Sequence, residues 1–218
     1  MVSNKLYDVR NTLRQHLLVG AFSIGLTLIL HFMLGIKWST SFARVSFILL
    51  FLTLIIGPLM RFRKPTKSST PLKTPWSWRG ELGIWFTLTG ILHFYFAISG
   101  RLNFNIMKAL GGFTGGGGFG FANFIGLVAL IWAVALTITS FNRIIKFLGI
   151  DSWKWFQSFT YVVFYLVSAH LLYFQFFTIY GSGPDWFGYL SIVMMAIVVI
   201  LQMSGFVKAV REYRKEKQ

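Results

Sequence analysis

The chain has 218 residues, of which 55% are hydrophobic, 18% aromatic and only 12% charged, about half the roughly 25% charged share of a soluble domain. A net charge of +15 invites a nucleic-acid partner, but the basic residues fall in short connections and tails with no basic segment on a folded soluble module, which argues against nucleic acid. Cysteine is absent, which excludes a disulfide frame, a thiolate metal site and an iron–sulfur cluster.

Six apolar runs follow one another, each near the roughly 20 residues that a bilayer crossing needs. The first, Leu17–Ile36, contains His31. It is too long for a secretory h-region and lacks a small-x-small site before Lys37-Trp38, so it reads as a retained helix. The second, Val45–Met60, is the shortest and ends just past Gly57-Pro58. The segment Lys64–Trp78, with Pro65, Pro71 and Pro75, reads as a solvated connection, and its Trp76 and Trp78 suit the headgroup level. The third run, Leu82–Ser99, carries His93.

The connection Gly100–Asn123 holds Gly111, Gly112, Gly115, Gly116, Gly117, Gly118 and Gly120 with Phe113, Phe119 and Phe121 interspersed. It lacks the lysine and spacing of a phosphate loop. Two readings stay open: a turning loop laid against the membrane, or a docking surface for an outer-side partner. The fourth run is Phe124–Ser140, and Trp153 and Trp155 mark the interface before the fifth, Phe156–Phe176, which carries His170. The sixth is Trp186–Phe206, followed by a basic tail, 207–218. The fold class is therefore an all-α integral membrane protein of six transmembrane helices, with 17–206 as the membrane domain.

Seventeen of the 21 Lys and Arg residues lie at the N-terminus, between the second and third runs, between the fourth and fifth, and in the tail. The positive-inside rule then places both termini, 1–16 and 207–218, in the cytoplasm. The same charges attract anionic lipid. No connection approaches the about 40 residues of an independently folding unit. A redox role would therefore need a separate electron donor or a lipid-soluble carrier.

Two histidines inside apolar runs are costly unless used, and an ionisable residue at membrane depth is a functional-site hypothesis. His93 and His170 sit on helices that run in the same direction, each roughly 17–20 Å from the cytoplasmic boundary at about 1.5 Å per residue. Two imidazoles at one level in an apolar interior suit haem iron, ligated from opposite faces. The alternative is two separate histidines, each satisfied by a neighbouring hydroxyl or carbonyl. His31 reaches a similar depth; it reads as an interhelical hydrogen-bond group, with a third ligand, a propionate partner or a quinone contact as alternatives. Arg101 and Lys108, above His93, are candidate propionate partners or ordinary interfacial charges. No Asp, Glu, Lys or Arg lies deep within the runs as drawn, which weighs against an ion-coupled transporter.

Several segments resemble the ferric-reductase-like transmembrane domain, and within it the haem-binding membrane subunits of bacterial methionine-sulfoxide reductase systems. They are Leu54-Ile55-Ile56-Gly57-Pro58-Leu59-Met60-Arg61, Trp78-Arg79-Gly80-Glu81-Leu82-Gly83 with Leu92-His93, and Thr139-Ser140-Phe141-Asn142-Arg143 with Leu148-Gly149 and Trp153-Lys154. The likeness covers roughly residues 45–176. It implies a six-helix core in which His93 and His170 ligate haem b. Two-haem members carry a second, inner pair, and the matching positions here fall near Arg79 and on Gln157. Arginine cannot ligate iron and an amide is a poor ligand, so the resemblance implies one haem.

A lone outer haem leaves roughly 20 Å to the cytoplasmic surface. Quinol donation, an inner flavin or differently held haem, and electron entry from outside remain open. Trp155, Phe156, Phe159, Tyr161, Phe164 and Tyr165 occupy that gap, as packing or lipid-facing aromatics or as a pocket for a planar cofactor. The leading expectation is a membrane electron-transfer protein serving an outer-side redox partner. Its rival is a structural or assembly subunit that keeps the haem-binding fold without redox turnover.

Overall fold

A computed structural model describes residues 9–62, 74–101, 103–107, 118–177 and 183–217. Among them every regular element is helical, and six helices are long and apolar enough to cross a membrane. This chain is a multi-pass membrane protein. In chain order, α1 is Val9–Leu28 and continues through a π-helical turn, Ile29–Met33; α2 is Trp38–Phe62 and α3 is Thr74–Arg101. Next come α4, Phe119–Thr139, and two short helices, α5 (Asn142–Leu148) and α6 (Ile150–Gln157). Then α7, Thr160–Leu172, runs into a second π-helical turn, Tyr173–Phe177, and α8 spans Trp186–Glu216.

The six crossings are Leu13–Met33, Trp38–Leu59, Trp78–Gly100, Phe119–Thr139, Ile150–Phe177 and Trp186–Lys215. Half of the apolar window of α2 is buried, against 22–28% in the others, which makes α2 the central helix. It packs along α3 and also meets α1, α7 and α8, while α4 packs on α7. Val45, Leu49, Leu50 and Leu54 of α2 are closed off entirely or nearly so, together with Phe47, Val163, Phe164 and Phe187. Outward, Phe32, Ile131, Ile200 and Phe206 are each at least 60% exposed, which suits a lipid solvent.

Most buried hydroxyls inside the spans find acceptors, Ser168 being an exception among the described residues. Ser23 bonds to the Val19 carbonyl, Thr27 to Ser23 and Thr53 to Leu49, each one turn back. Others join helices: Ser46 donates to the Phe86 carbonyl at 3.0 Å, and Thr137 to the Thr87 hydroxyl at 2.8 Å. Such bonds associate helices where lipid removes the hydrophobic drive between them.

Several boundaries differ from those read in the sequence. Helix α2 starts at Trp38, seven residues before Val45, because the polar stretch Ser39–Arg44 is already helical and covered by its neighbours. Arg44, expected in the connection before Val45, thereby enters the second span and is buried there. Helix α4 starts at Phe119, capped by Gly118 at φ +68°, so the end of the glycine-rich connection is helical. Helix α3 starts at Thr74, with Pro75 in its first turn, where a missing N–H costs nothing. The fifth crossing is not one rod: it breaks between α6 and α7, and α5 precedes it. Gly111–Gly117, Lys108, Phe113 and the connection 63–73 lie outside the described residues.

Candidate functional site

His93, on α3, and His170, on α7, face one another with ring centroids 6.3 Å apart and ring planes 74° apart. The Nδ1 of His93 meets the Ser39 carbonyl of α2 at 2.9 Å, with the Ser39 hydroxyl at 3.2 Å. The Nδ1 of His170 meets the Ala122 carbonyl of α4 at 2.8 Å. A carbonyl only accepts, so each Nδ1 carries the proton and donates it, which makes each Nε2 the lone-pair nitrogen. A backbone carbonyl on the far nitrogen is the usual support of a metal-ligating imidazole, since it fixes both tautomer and ring orientation.

Room for the His170 ring comes from Gly126. A Cβ built at that position would sit 2.6 Å from Nδ1 and 2.7 Å from Cε1 of His170. In a regular helix the Ala122 carbonyl also accepts from the Gly126 N–H, so one turn of α4 supplies both the space and the acceptor. Phe174, one turn beyond His170, packs beside its ring with centroids 5.0 Å apart.

Both imidazoles line one cavity of about 760 Å³, within the roughly 300–1,000 Å³ range of cofactor pockets. Phe47, Phe86, Leu130 and Val167 give it apolar walls, and Lys37 and Arg44 are its basic groups. An imidazole–metal–imidazole sandwich with metal–nitrogen bonds of about 2 Å sets ring centroids about 6 Å apart, and the observed separation matches that. Among the described residues no group of three or more His, Cys, Asp or Glu forms. The pair therefore suits a metal whose other ligands belong to a cofactor. By donor set, ring separation and cavity, these residues fit a haem.

Arg44 was missed as a site residue. It is buried, stacked over Trp186 and Phe187, and ion-paired through Nη2 with Asp185. Asp185 caps α8 by accepting from the Phe187 and Gly188 N–H groups at 2.9 and 3.1 Å. Trp38, an interfacial aromatic at the true start of α2, is the sequence signal that could have placed Arg44 inside the span. Gly126 carried a weaker signal: an isolated glycine within an apolar helical run marks a close approach.

His31 does not reach the cavity. Its Nδ1 meets the Ile36 carbonyl at 2.7 Å and its ring stacks on Trp38 with centroids 3.9 Å apart. The backbone of Arg101 ends α3, but its side chain lies outside the described residues, as does Lys108. Gln157 is occupied elsewhere: its amide nitrogen donates to the Leu136 carbonyl at 3.2 Å and faces the Thr139 and Ser140 hydroxyls at 3.3 and 3.2 Å. Arg79 lies beside Gly57 of α2. Of the aromatics in the inner gap, Phe164 is buried, Phe156, Phe159 and Tyr161 pack against the core, and Trp155 and Tyr165 are 66% and 58% exposed.

Compared with known proteins, the chain matches no family model, and no curated protein matches it significantly.

Proposed function

We propose that this chain is a b-type cytochrome of the bacterial inner membrane, with both termini cytoplasmic, that holds one haem b between His93 and His170. It passes electrons from a quinol or flavoprotein donor to a redox partner on the outer side. The observation that carries this reading is the pair of imidazoles, each fixed by a backbone carbonyl at Nδ1 and set at bis-imidazole separation in one apolar cavity. The resemblance of segments between 45 and 176 to ferric-reductase-like domains supports it, as does the basic bias of one end of the bundle, from Arg143, Lys146 and Lys154 to Arg211, Arg214 and Lys215.

Haem supplies a reversible one-electron couple when bound; the chain's residues set its surroundings. The Nε2 atoms of His93 and His170 would hold the haem iron. The Ser39 and Ala122 carbonyls fix both rings, so neither imidazole would need to reorient to hold the iron. Phe47, Phe86 and Val167 exclude water and keep the dielectric low. Gln157 is bonded to α4 and an arginine such as Arg79 cannot ligate iron, so this reading carries one haem.

That gap favours the second reading, a structural or assembly subunit without turnover. The two separate in proteoliposomes. Under the leading reading a quinol or a flavin reductase reduces the haem band, and an outer-side oxidant reoxidises it. A haem that neither donor reduces would leave only the structural role, and absence of any haem absorbance from protein made with ample haem would end the leading reading.

A further inference from the structure

We infer that Arg44 is the carboxylate clamp of the cavity, donating from Nε and Nη1 to a propionate of the bound haem. This rests on the haem reading above and goes beyond it by naming the residue that orients the cofactor about the axis between the two histidines.

Arg44 is 5% exposed, and both Nε and Nη1 are buried without a hydrogen-bond partner among the described residues. Asp185 engages only Nη2. A native guanidinium in a membrane protein does not leave buried N–H groups idle without a reason: each unsatisfied donor costs desolvation, and a buried orphan calls for a missing partner. Arg44 lines the same cavity as His93 and His170. It follows Ser39, the carbonyl partner of His93, by five residues along α2, roughly 7–8 Å of rise, and helical side chains lean back toward their own N-terminus. The lean carries the guanidinium toward the level of the histidines.

The rest of its surroundings fixes the fork rather than using it up. Trp186 and Phe187 hold the guanidinium plane, with ring centroids 5.1 and 5.2 Å from Cζ, and the Asp185 carboxylate is itself pinned by the α8 cap. Lys37 adds a second cation to the cavity lining. Among the described residues the local balance is two cations to one carboxylate, which leaves a demand for negative charge that haem carboxylates would meet. Planar bidentate recognition of carboxylate is the chemistry to which arginine, not lysine, is suited.

The test compares haem b with its dimethyl ester, in which both carboxylates are blocked. Full-length protein from haem-deficient cells is titrated in detergent with each compound, following the Soret band. Wild type should bind haem b at least tenfold more tightly than the ester, the scale of one charge-assisted hydrogen-bonded contact. Arg44→Met should bind the two within about twofold while retaining the bis-histidine spectrum, and Arg44→Lys should show a preference reduced several-fold. Where Arg44→Met gives no folded protein, the lysine variant decides. Either variant keeping the full wild-type preference overturns the assignment, as does wild type binding haem b and ester alike. Wild type that takes up neither compound overturns the haem reading itself.

Discussion

Gly126→Ala isolates the claim that α4 is shaped around His170. The added methyl would stand 2.6 Å from Nδ1 and 2.7 Å from Cε1 of His170, well inside contact distance. Helix α4 or the ring must move, and overpacking of this kind costs about 1–3 kcal/mol. If the ring moves, its bond to the Ala122 carbonyl weakens as well, a further loss of about 0.5–1.5 kcal/mol. Against this, alanine gains up to about 1 kcal/mol over glycine in a helix interior. The expected net is a destabilisation of about 1–3 kcal/mol, concentrated at the ligand. Gly83→Ala on α3 is the control, because no atom lies within 4 Å of its added Cβ; propensity alone should leave it neutral or slightly stabilised. Thermal unfolding in detergent and haem titration of both variants give the comparison. Gly126→Ala should weaken haem binding about tenfold or convert the spectrum from bis-histidine to a five-coordinate or mixed form, with helical content unchanged. A Gly126→Ala protein with wild-type affinity and spectrum would refute the close approach of α4 to His170.

Other perturbations separate the remaining parts of the account. Gly118→Ala places a Cβ at φ +68° and 2.8 Å from the Tyr173 ring, so it should destabilise by about 1–3 kcal/mol, read as a lower midpoint of thermal unfolding. Gln157→Leu removes the donor that ties α6 to the end of α4; it should cost about 1–2 kcal/mol and leave the haem spectrum and stoichiometry untouched, whereas loss of haem absorbance would show an inner cofactor at Gln157. Asp185→Ala removes the partly exposed partner of Arg44 Nη2 and the cap of α8, and should destabilise by about 1–3 kcal/mol, read as a lower midpoint of thermal unfolding. Because the chain has no cysteine, single Asn103→Cys and Lys215→Cys variants report topology directly. An impermeant maleimide should label Asn103→Cys in intact spheroplasts, and Lys215→Cys only after lysis; the reverse pattern would invert the orientation.

The six crossings were legible because lipid imposes a length and an apolarity that few other environments do. Their ends were not. Ser39–Arg44 looks like a polar connection in sequence, yet it is helical and enclosed because hydroxyls and the Arg44–Asp185 pair find partners across helices. Phe119–Asn123 was absorbed into a glycine-rich loop for the same reason: apolarity alone does not tell a turning loop from a capped helix start. His93 and His170 were legible by scarcity and depth. Their supports were not, because the acceptors are the backbone carbonyls of Ser39 and Ala122, and a carbonyl leaves no residue-specific mark. Depth alone gave His31 the same standing, although its Nδ1 is taken by the Ile36 carbonyl and its ring stacks on Trp38.

The central claim is that His93 and His170 hold one haem between them. Its most direct measurement is the haem-to-protein ratio of purified protein by pyridine haemochrome, read beside the reduced-minus-oxidised spectrum for wild type, His93→Ala and His170→Ala. The account expects a ratio of about one with a bis-imidazole α-band in wild type, and loss or five-coordination of the haem in each variant. An unchanged spectrum in both variants, or wild type without haem after haem-replete expression, would contradict it.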